Sequence, residues 1–362
     1  MLNIFPAPSL QEAGLINDTS VYSLVSDGLV NKYYVVSNPG TRRLMISPEV
    51  VGYDSYLSMV DATADTLQYL CGDGLSGGVE ILTILRGGLN YPLEECCFKA
   101  GIQVNNMNFV SCERVFNGKV ITGLDIKYEK LRVVSDCTLM IGDIFATGDT
   151  LKLCLKQVVD RFHSRGGSMR RIVFFTVGGT RAIPVLESMT EYIRTVWPSF
   201  EGFRCVFYEG MFKVYEDSGC TGVNVPDVDF GWDTIAPEFR EAVLKAGDAL
   251  YEKCIIYDGG ARRYEIPSHY NEVVDYWEDL NHAAMQGADL KEFTDEKLGY
   301  ATPLDFDAWL SAVHYENLDP SSVRPLYELE TAFIAASAGR SLSDIASRRL
   351  REFKDNMKNY SK

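Results

Sequence analysis

A run of small and hydroxyl-bearing residues stands between an apolar strand and an amphipathic helix, in the segment 138–151 (TLMIGDIFATGDTL). Backbone N–H groups at the start of a helix, helped by the helix dipole, attract an anion, and Gly148 lets the backbone approach it closely. Asp143 lies at the carboxyl end of the strand, where open α/β sheets bind ligands, and can accept hydrogen bonds from sugar hydroxyls. The segment therefore predicts a site for a phosphorylated sugar.

The spacing of the glycines argues against a Walker-type nucleotide loop. That loop needs four residues between its glycines, followed by a lysine. Here five residues separate Gly142 from Gly148, and Asp149 stands where the lysine would be. ATP hydrolysis is therefore not expected, and a strand–turn–helix with no ligand stays open as the alternative.

A second candidate loop, Arg86-Gly87-Gly88, follows an apolar strand and precedes a helix predicted over 93–100. A guanidinium can contact a phosphate through two N–H groups at once, and glycines leave room for the anion. The tripeptide alone is a weak signal because turns commonly contain it. Its place upstream of the Asp143 loop makes the pair informative.

The elements around these loops indicate an α/β fold. Apolar runs of strand length alternate with helical patterns, which is typical of a parallel sheet covered on both faces. After the second run, a helix is predicted with Leu151, Leu155, Val158, Val159 and Phe162 on one face, and Asn117-Gly118 predicts the turn of a β-hairpin. The predicted core strands cover 79–85, 138–141, 172–177 and 205–208, and the predicted hairpin strands cover 104–110 and 119–126.

The two ends of the chain differ from this core, which gives three predicted regions: 1–70 as an N-terminal extension with hood elements, 71–236 as the core, and 237–362 as an acidic helical region. In the first region, Asn38-Pro39-Gly40 predicts a turn between strands at 34–37 and 43–46, and a helix is predicted over 53–70. In the last region, a basic final helix starting at Ser341 is expected to pack on the acidic body.

The segment 143–150 resembles the phosphoribosyl pyrophosphate (PRPP) signature of type I phosphoribosyltransferases, with Gly142 in place of the first of two acidic residues. The overall layout is most similar to uracil phosphoribosyltransferases. The resemblance implies the type I phosphoribosyltransferase fold, a parallel sheet flanked by helices with an inserted β-hairpin, here with an α-helical C-terminal extension. It also implies that Asp143 holds the ribose hydroxyls, that Arg86, Gly87 and Gly88 bind pyrophosphate, and that the 5-phosphate binds Ala146, Thr147, Gly148, Asp149 and Thr150.

In that family a flexible loop between the two motifs closes over the reacting sugar. By resemblance, Arg114, Lys127 and Lys130 on the hairpin could bring positive charge to the pyrophosphate. The alternative is that they are ordinary solvated charges of a hairpin.

The resemblance implies transfer of phosphoribose from PRPP to a pyrimidine or purine base, with release of pyrophosphate. Arg86 and Asp143 are the expected catalytic residues. The implied cofactor is Mg²⁺, which Asp143 would contact only indirectly, through the ribose hydroxyls. Gly142 motivates an alternative, a non-catalytic regulator that binds PRPP or a nucleotide. A third reading makes the helical C-terminal region the functional module and the fold its scaffold.

The base-binding residues are harder to identify. The family uses loops after the later strands, here 178–181 (GGTR) and 222–232 (GVNVPDVDFGW). The second segment lacks most of the glycines found in uracil enzymes, which implies a changed pocket or a different base. Phe230 or Trp232 could stack on a base, or belong to the core.

Bulk composition restricts the partners. The 362 residues contain 50 acidic and 35 basic side chains, a net charge of -15, which disfavours nucleic acid and anionic membranes. No long apolar run or signal peptide is apparent, so a cytoplasmic location is expected. Nine scattered cysteines predict reduced thiols, and the four histidines show no metal-ligand spacing. A homodimer is one option for assembly.

Overall fold

A mixed β-sheet forms the centre of the protein. The computed structural model describes residues 7–72, 74–75, 78–117, 120–146, 148–214, 219–223, 230–252 and 259–358. The strands in these ranges are β1 (Ser9–Ile16), β2 (Thr19–Val25), β3 (Lys32–Ser37), β4 (Val79–Leu85), β5 (Val104–Asn117), β6 (Val120–Lys130), β7 (Cys137–Gly142), β8 (Met169–Gly179), β9 (Gly202–Val214) and β10 (Phe230–Ile235).

The strands are ordered β1-β2-β3-β9-β8-β7-β4-β5-β6, and β10 pairs with β9. The six central strands, from β3 to β5 in this order, pair in parallel, whereas β1, β2, β6 and β10 pair antiparallel with their neighbours. The carboxyl ends of β4 and β7 are therefore adjacent. This arrangement brings the ends of the two candidate strands to one edge of the sheet.

Helices cover the sheet and make up the C-terminal part of the chain. The α-helices of the described ranges are α1 (Pro39–Ile46), α2 (Tyr53–Leu57), α3 (Val60–Gly72), α4 (Leu93–Lys99), α5 (Asp149–Ser164), α6 (Ala182–Val196), α7 (Pro237–Ala246), α8 (Gly259–Tyr264), α9 (Ile266–Met285), α10 (Leu290–Leu298), α11 (Phe306–Ala312), α12 (Pro320–Ser337) and α13 (Leu342–Met357).

The core strands were predicted correctly because their side chains are buried on both faces. Every residue of β7 is buried, and β4 is buried except at its last residue. The helix after β7 is also confirmed, since α5 buries the predicted stripe against the sheet. The stripe residues are at most 4% exposed: Leu151, Leu155, Val158, Val159 and Phe162.

The predicted strand over 43–46 is wrong, because those residues belong to helix α1. The Asn38 side chain caps this helix by accepting a hydrogen bond from the N–H of Gly40, and Pro39 occupies the first helical turn. Asn followed by Pro suits a turn and also suits a helix start, where the missing proline N–H costs nothing. The strand β3 that precedes it does form, and it joins the parallel part of the sheet.

The single helix predicted over 53–70 is divided into α2 and α3. The break lies at Ser58 and Met59, where the Ser58 hydroxyl donates to the Asp54 carbonyl oxygen at 2.7 Å. A serine side chain bonded back to its own helix competes with the backbone ladder, which favours an interruption here.

Strands β5 and β6 form a long antiparallel ribbon at one edge of the sheet. Ser111 of β5 lies opposite Leu85, the last residue of β4, and the ribbon continues past this level. It therefore extends on the side of the sheet where β4 and β7 end. The turn positions 118–119 lie outside the described residues.

The final helix begins after Ser341, whose side chain accepts a hydrogen bond from the N–H of Asp344, as the sequence predicts. Its basic side chains pair with acidic ones of the preceding helical region: Arg348 with Asp248, Arg349 with Glu252, and Lys354 with Glu278. The predicted packing of α13 on the acidic body is confirmed. Within the described ranges, no helix combines the length and apolarity needed to cross a membrane.

Candidate functional site

The loop after β7 is tied to the neighbouring strand β8. The N–H of Asp143 donates to the Phe175 carbonyl oxygen at 3.1 Å, and the N–H of Phe145 donates to that of Val177 at 3.0 Å. These bonds extend the β7–β8 pairing beyond the last strand residue. Asp143 therefore lies at the carboxyl ends of the parallel strands, where open α/β sheets bind ligands.

The Phe145 ring packs against the predicted phosphate loop. The ring is fully buried and meets the ring of Phe174 edge-on, with the centroids 6.1 Å apart. Gly148 lies directly on this ring, because a Cβ added there would come within 2.1 Å of it. Gly148 also has a φ of +80°, so both its conformation and its contact require glycine.

Helix α5 starts directly after Gly148, so its first N–H groups and the positive end of its dipole lie at the loop. Ala146 and Thr150 are half-buried on either side of Gly148. Thr147 and the side chain of Asp149 lie outside the described part of the chain. The strand–loop–helix geometry is present, and phosphate binding by these residues stays a prediction.

The loop after β4 contacts the loop after β7. Arg86 is followed by a 3₁₀ turn, Gly87–Asn90. A Cβ on Gly87 would stand 2.6 Å from Asp143 Oδ1, and a Cβ on Gly88 would stand 3.2 Å from the Gly142 carbonyl oxygen. Both glycines therefore allow the close approach. The two loops that the sequence identifies separately are therefore in contact.

Tyr91 explains the glycine at the position of the missing acid. The Tyr91 side chain is 7% exposed, and a Cβ on Gly142 would come within 2.4 Å of its Cβ and Cγ atoms. The Tyr91 hydroxyl oxygen accepts from the N–H of Val177 at 3.4 Å. An aromatic ring thus fills the space that an acidic side chain at position 142 would enter, and Asp143 is left as the acid of this motif.

The Asp143 carboxyl titrates near neutral pH. Burial raises its pKa to about 7, and the N–H of Ile144, which donates to Oδ1 at 2.9 Å, opposes this rise only in part. The residue still keeps some accessible surface. Such a carboxyl can accept hydrogen bonds from a sugar when it is ionised and donate one when it is protonated.

Helix α8, from the C-terminal region, lies against the Arg86 loop. The Arg86 guanidinium is 2.9 Å from the carboxylate of Glu265, the residue after α8. Arg263 donates to the Leu89 carbonyl oxygen and lies 3.9 Å from the centroid of the Tyr56 ring. Sequence reasoning missed α8 because these hydrogen-bond partners are 174 and 179 positions apart, and no local pattern signals the contact.

The three basic hairpin residues that the sequence singles out are Arg114, Lys127 and Lys130. Lys127 Nζ lies 3.1 Å from Glu113 Oε2 and 3.3 Å from Asp125 Oδ2, so carboxylates of the same hairpin already offset its charge. Lys130 is exposed and lies opposite Phe109, within the sheet. The side chain of Arg114 lies outside the described part. A role of these three residues in binding pyrophosphate stays a prediction.

The region predicted to read the base is only partly described. Gly179 donates from its N–H to the Phe145 carbonyl oxygen at 3.0 Å, so the loop after β8 supports the Asp143 loop. Residues 224–229 and the side chain of Phe230 lie outside the described part. Trp232 is 6% exposed, and the Arg240 guanidinium lies 4.6 Å from its ring centroid. Trp232 is therefore a core residue, which favours that alternative over base stacking.

The comparisons with known proteins give distant structural similarity. No protein-family model matches the sequence, and no curated protein matches it. The AQ2163 protein of Aquifex aeolicus is 13% identical with a TM-score of 0.35, over 49% of this chain and 84% of that one. A hypoxanthine phosphoribosyltransferase of Staphylococcus aureus is 14% identical with a TM-score of 0.28, over 37% of this chain and 68% of that one.

An adenine phosphoribosyltransferase of Leishmania tarentolae is 15% identical with a TM-score of 0.29, over 41% of this chain and 70% of that one. Similarity at this distance does not establish a family for the chain.

Proposed function

We propose that the chain binds PRPP where the loops after β4 and β7 meet, and that it transfers the phosphoribose to a pyrimidine or purine base. The contact between Gly87 and the Asp143 carboxylate carries this proposal, since a Cβ on Gly87 would stand 2.6 Å from Oδ1. The Arg86 turn thus contacts the carboxylate at the start of the loop that leads into α5. A sugar with a pyrophosphate on one carbon and a phosphate on another carries negative charges that would suit the Arg86 guanidinium and the positive end of the α5 dipole.

In this proposal the ribose C1–O bond to pyrophosphate breaks, and a C1–N bond to the base forms. The pyrophosphate leaves with the electron pair of the broken bond, and the proton of the attacking ring nitrogen passes to solvent. Arg86 and the backbone N–H groups of its turn would stabilise the charge on the departing pyrophosphate. Asp143 would orient the ribose by accepting hydrogen bonds from its hydroxyls.

Mg²⁺ is the proposed cofactor, and the donor set fits an ion that arrives with the substrate. In the part of the chain that the structure describes, no three His, Cys, Asp or Glu side chains come together as a metal site. Mg²⁺ is often held by one or two carboxylates together with substrate phosphates. Asp143 would hold it indirectly, through the ribose hydroxyls, and the bound ion would offset charge on the pyrophosphate.

A second candidate function is a regulator that binds PRPP without turnover. The packing of Tyr91 on Gly142 favours it, because the space for a second acidic side chain is filled. A site with one acid could hold the sugar less firmly than two, which would slow transfer more than it weakens binding of the phosphates.

The test is pyrophosphate release from PRPP and Mg²⁺ in the presence of adenine, guanine, hypoxanthine, uracil or cytosine, combined with calorimetric titration of PRPP. Release with at least one base supports transfer. Saturable PRPP binding without release for any base supports the regulator. A protein that binds no PRPP contradicts both candidates.

A further inference from the structure

Two cysteine thiols meet where the β5–β6 ribbon lies against helix α5. The Cys112 thiol, on β5, donates to the Sγ atom of Cys154, on α5, and the two sulfur atoms are 3.5 Å apart. A disulfide needs about 2 Å between its sulfur atoms, so this pair would close by about 1.5 Å on oxidation. The fold thus brings two reduced thiols from separate elements almost to bonding distance.

The two thiols differ in their access to solvent. Cys112 is partly exposed, whereas Cys154 is fully buried. A small oxidant therefore reaches Cys112 first, and Cys154 stays available behind it. An accessible thiol with a resolving thiol beside it is the usual arrangement of a reversible oxidation site.

The hydrogen bond between the two thiols makes Cys112 the more reactive one. It lowers the pKa of Cys112, because the S–H of Cys154 stabilises the Cys112 thiolate, and burial and the Asp143 carboxylate oppose this effect only in part. The same hydrogen bond, together with burial, raises the pKa of Cys154. Since the thiolate is the form that attacks an electrophile, Cys112 is the nucleophile of the pair.

Cys112 also differs from the other cysteines in the described part of the chain. Burial is the largest cause of a raised pKa in six of them: Cys71, Cys96, Cys97, Cys137, Cys205 and Cys220. A raised pKa leaves little thiolate near neutral pH, so these thiols are expected to react slowly. Cys71 is the exposed member of this group, so exposure alone does not make a thiol reactive here.

Polar contacts already hold the ribbon against α5. Gln157 donates from Nε2 to the Leu124 carbonyl oxygen of β6, and Arg161 donates to the Glu129 carboxylate of β6. Both contacts lie farther along α5 than Cys154 does. A disulfide at Cys154 would therefore add a covalent link at the end of α5 that follows the β7 loop.

The thiol pair also lies close to both candidate loops. Ser111, next to Cys112, pairs with Leu85, the last residue of β4. Cys154 lies in the second turn of α5, whose first N–H groups are at the β7 loop. The Asp143 carboxylate acts on both thiols. A movement of the ribbon or of α5 would therefore reach the two loops.

We propose that Cys112 and Cys154 form a reversible oxidation site for hydroperoxides. The Cys112 thiolate attacks one oxygen of the hydroperoxide, the O–O bond breaks, and an alcohol or water leaves as the sulfenic acid forms on Cys112. The Cys154 sulfur then attacks the Cys112 sulfur, and the S–O bond breaks. The hydroxide takes the proton of the Cys154 thiol and leaves as water, and the disulfide forms. A dithiol reductant restores both thiols by exchange.

The disulfide would also weaken PRPP binding, a consequence that rests on the proposed function. The sulfur atoms close by about 1.5 Å, which pulls the ribbon and the start of α5 towards each other. Groups that hold a ligand lose much of their effect when they are misplaced by about 1 Å.

Hydrogen peroxide added to the reduced full chain, followed by peptide mapping with mass spectrometry, tests the proposal. The wild type should yield a linked Cys112–Cys154 peptide that dithiothreitol removes. Cys154→Ala should stop at a sulfenic acid on Cys112, which dimedone captures. Cys112→Ser should leave Cys154 reduced, and it serves as the second variant if Cys154→Ala does not fold by near-UV circular dichroism. Cys71→Ser is the control and should form the link at the wild-type rate.

Oxidation of Cys112 should be at least about tenfold faster than that of Cys71. Equal rates, or oxidised Cys112 in the wild type with Cys154 still free, would overturn the oxidation site. PRPP affinity should fall at least about fivefold in the linked wild type and stay unchanged in peroxide-treated Cys112→Ser. Equal PRPP affinity of the reduced and linked forms would overturn the consequence for binding. A reduced wild type that binds no PRPP would instead refute the proposed function, while the linked peptide would still support the oxidation site.

Discussion

The loops after β7 and β4 meet at one site but are held in different ways. The β7 loop is supported by its own sheet: Phe145 bonds to β8, and Gly148 packs on the Phe145 ring. The β4 loop is held from far along the chain, through Arg263 and Glu265 near α8. The β7 loop, proposed to bind the 5-phosphate, is thus supported locally, whereas the β4 loop, proposed to bind pyrophosphate, is contacted by residues of the C-terminal region.

The largest effect should come from the contact that joins the two loops. Gly142→Asp places a Cβ within 2.4 Å of Tyr91 and should lower the free energy of unfolding by about 3 kcal/mol through overpacking. Tyr91→Ala should cost about 3–5 kcal/mol as a buried aromatic truncation. The double variant should be more stable than the sum of the two predicts, by about 1–3 kcal/mol.

Urea unfolding of the four proteins measures this coupling. Gly339→Ala is the control glycine substitution, because nothing lies within 4 Å of a Cβ there. Strict additivity of the two single changes would show that Tyr91 does not occupy the space over Gly142.

A smaller effect should follow from Gly148→Ala, which tests the local support of the β7 loop. The residue has a φ of +80° and its Cβ would meet the Phe145 ring at 2.1 Å, so the variant should lose about 2–3 kcal/mol of stability. PRPP affinity should fall at least tenfold, because the loop must shift.

Gly166→Ala is the matched control, since Gly166 has a φ of +79° with nothing within 4 Å of a Cβ. It should lose only about 1 kcal/mol, the strain of the left-handed conformation. Equal losses in the two variants, by thermal unfolding, would remove the Phe145 contact from the explanation.

Asp143 predicts a pH dependence of stability. Its pKa rises from 3.8 to about 7 on folding, so the folded state binds the Asp143 proton more tightly than the unfolded state does. The stability that this bound proton contributes is lost as the pH rises from 3.8 to about 7. Asp143→Asn lacks this titration. The variant should therefore gain stability relative to the wild type between pH 5 and pH 8, by about 2 kcal/mol.

Urea unfolding of both proteins at the two pH values measures this difference. Buried Glu209 also has its pKa raised to about 7 by burial, so Glu209→Gln shows how a second carboxyl behaves away from the two loops. A difference between wild type and Asp143→Asn that does not change with pH would contradict the raised pKa.

The smallest effect should come from the ion pair between Arg86 of the β4 loop and Glu265, the residue after α8. The Arg86 and Glu265 side chains are 78% and 47% exposed, so Glu265→Gln should change stability by less than about 1 kcal/mol. Because it releases Arg86 from a carboxylate, it should raise the affinity for pyrophosphate by up to about fivefold. Calorimetric titration checks this, with Glu278→Gln as a remote control of equal exposure, 47%. Weaker pyrophosphate binding would instead make Glu265 a supporting residue of the loop.

The difference between local and distant contacts also explains which parts of the fold and of the candidate site the sequence could predict. The strand–loop–helix from β7 to α5 was visible because its signals, an apolar strand, Gly148 and an amphipathic helix, are local. Gly142 was visible as a missing acid, but its packing against Tyr91 joins positions from different elements. The contacts of α8 span 174 and 179 positions and leave no periodic pattern to recognise. Asn38-Pro39 was misread because the same pair suits a turn and a helix start.

Calorimetric titration of PRPP with Mg²⁺ into the wild type, Asp143→Ala and Glu209→Gln tests the proposed PRPP site most directly. We expect saturable binding at one site per chain, at least tenfold weaker in Asp143→Ala and unchanged in Glu209→Gln. Absence of PRPP binding, or equal affinity in the wild type and Asp143→Ala, would contradict a PRPP site at the junction of the two loops.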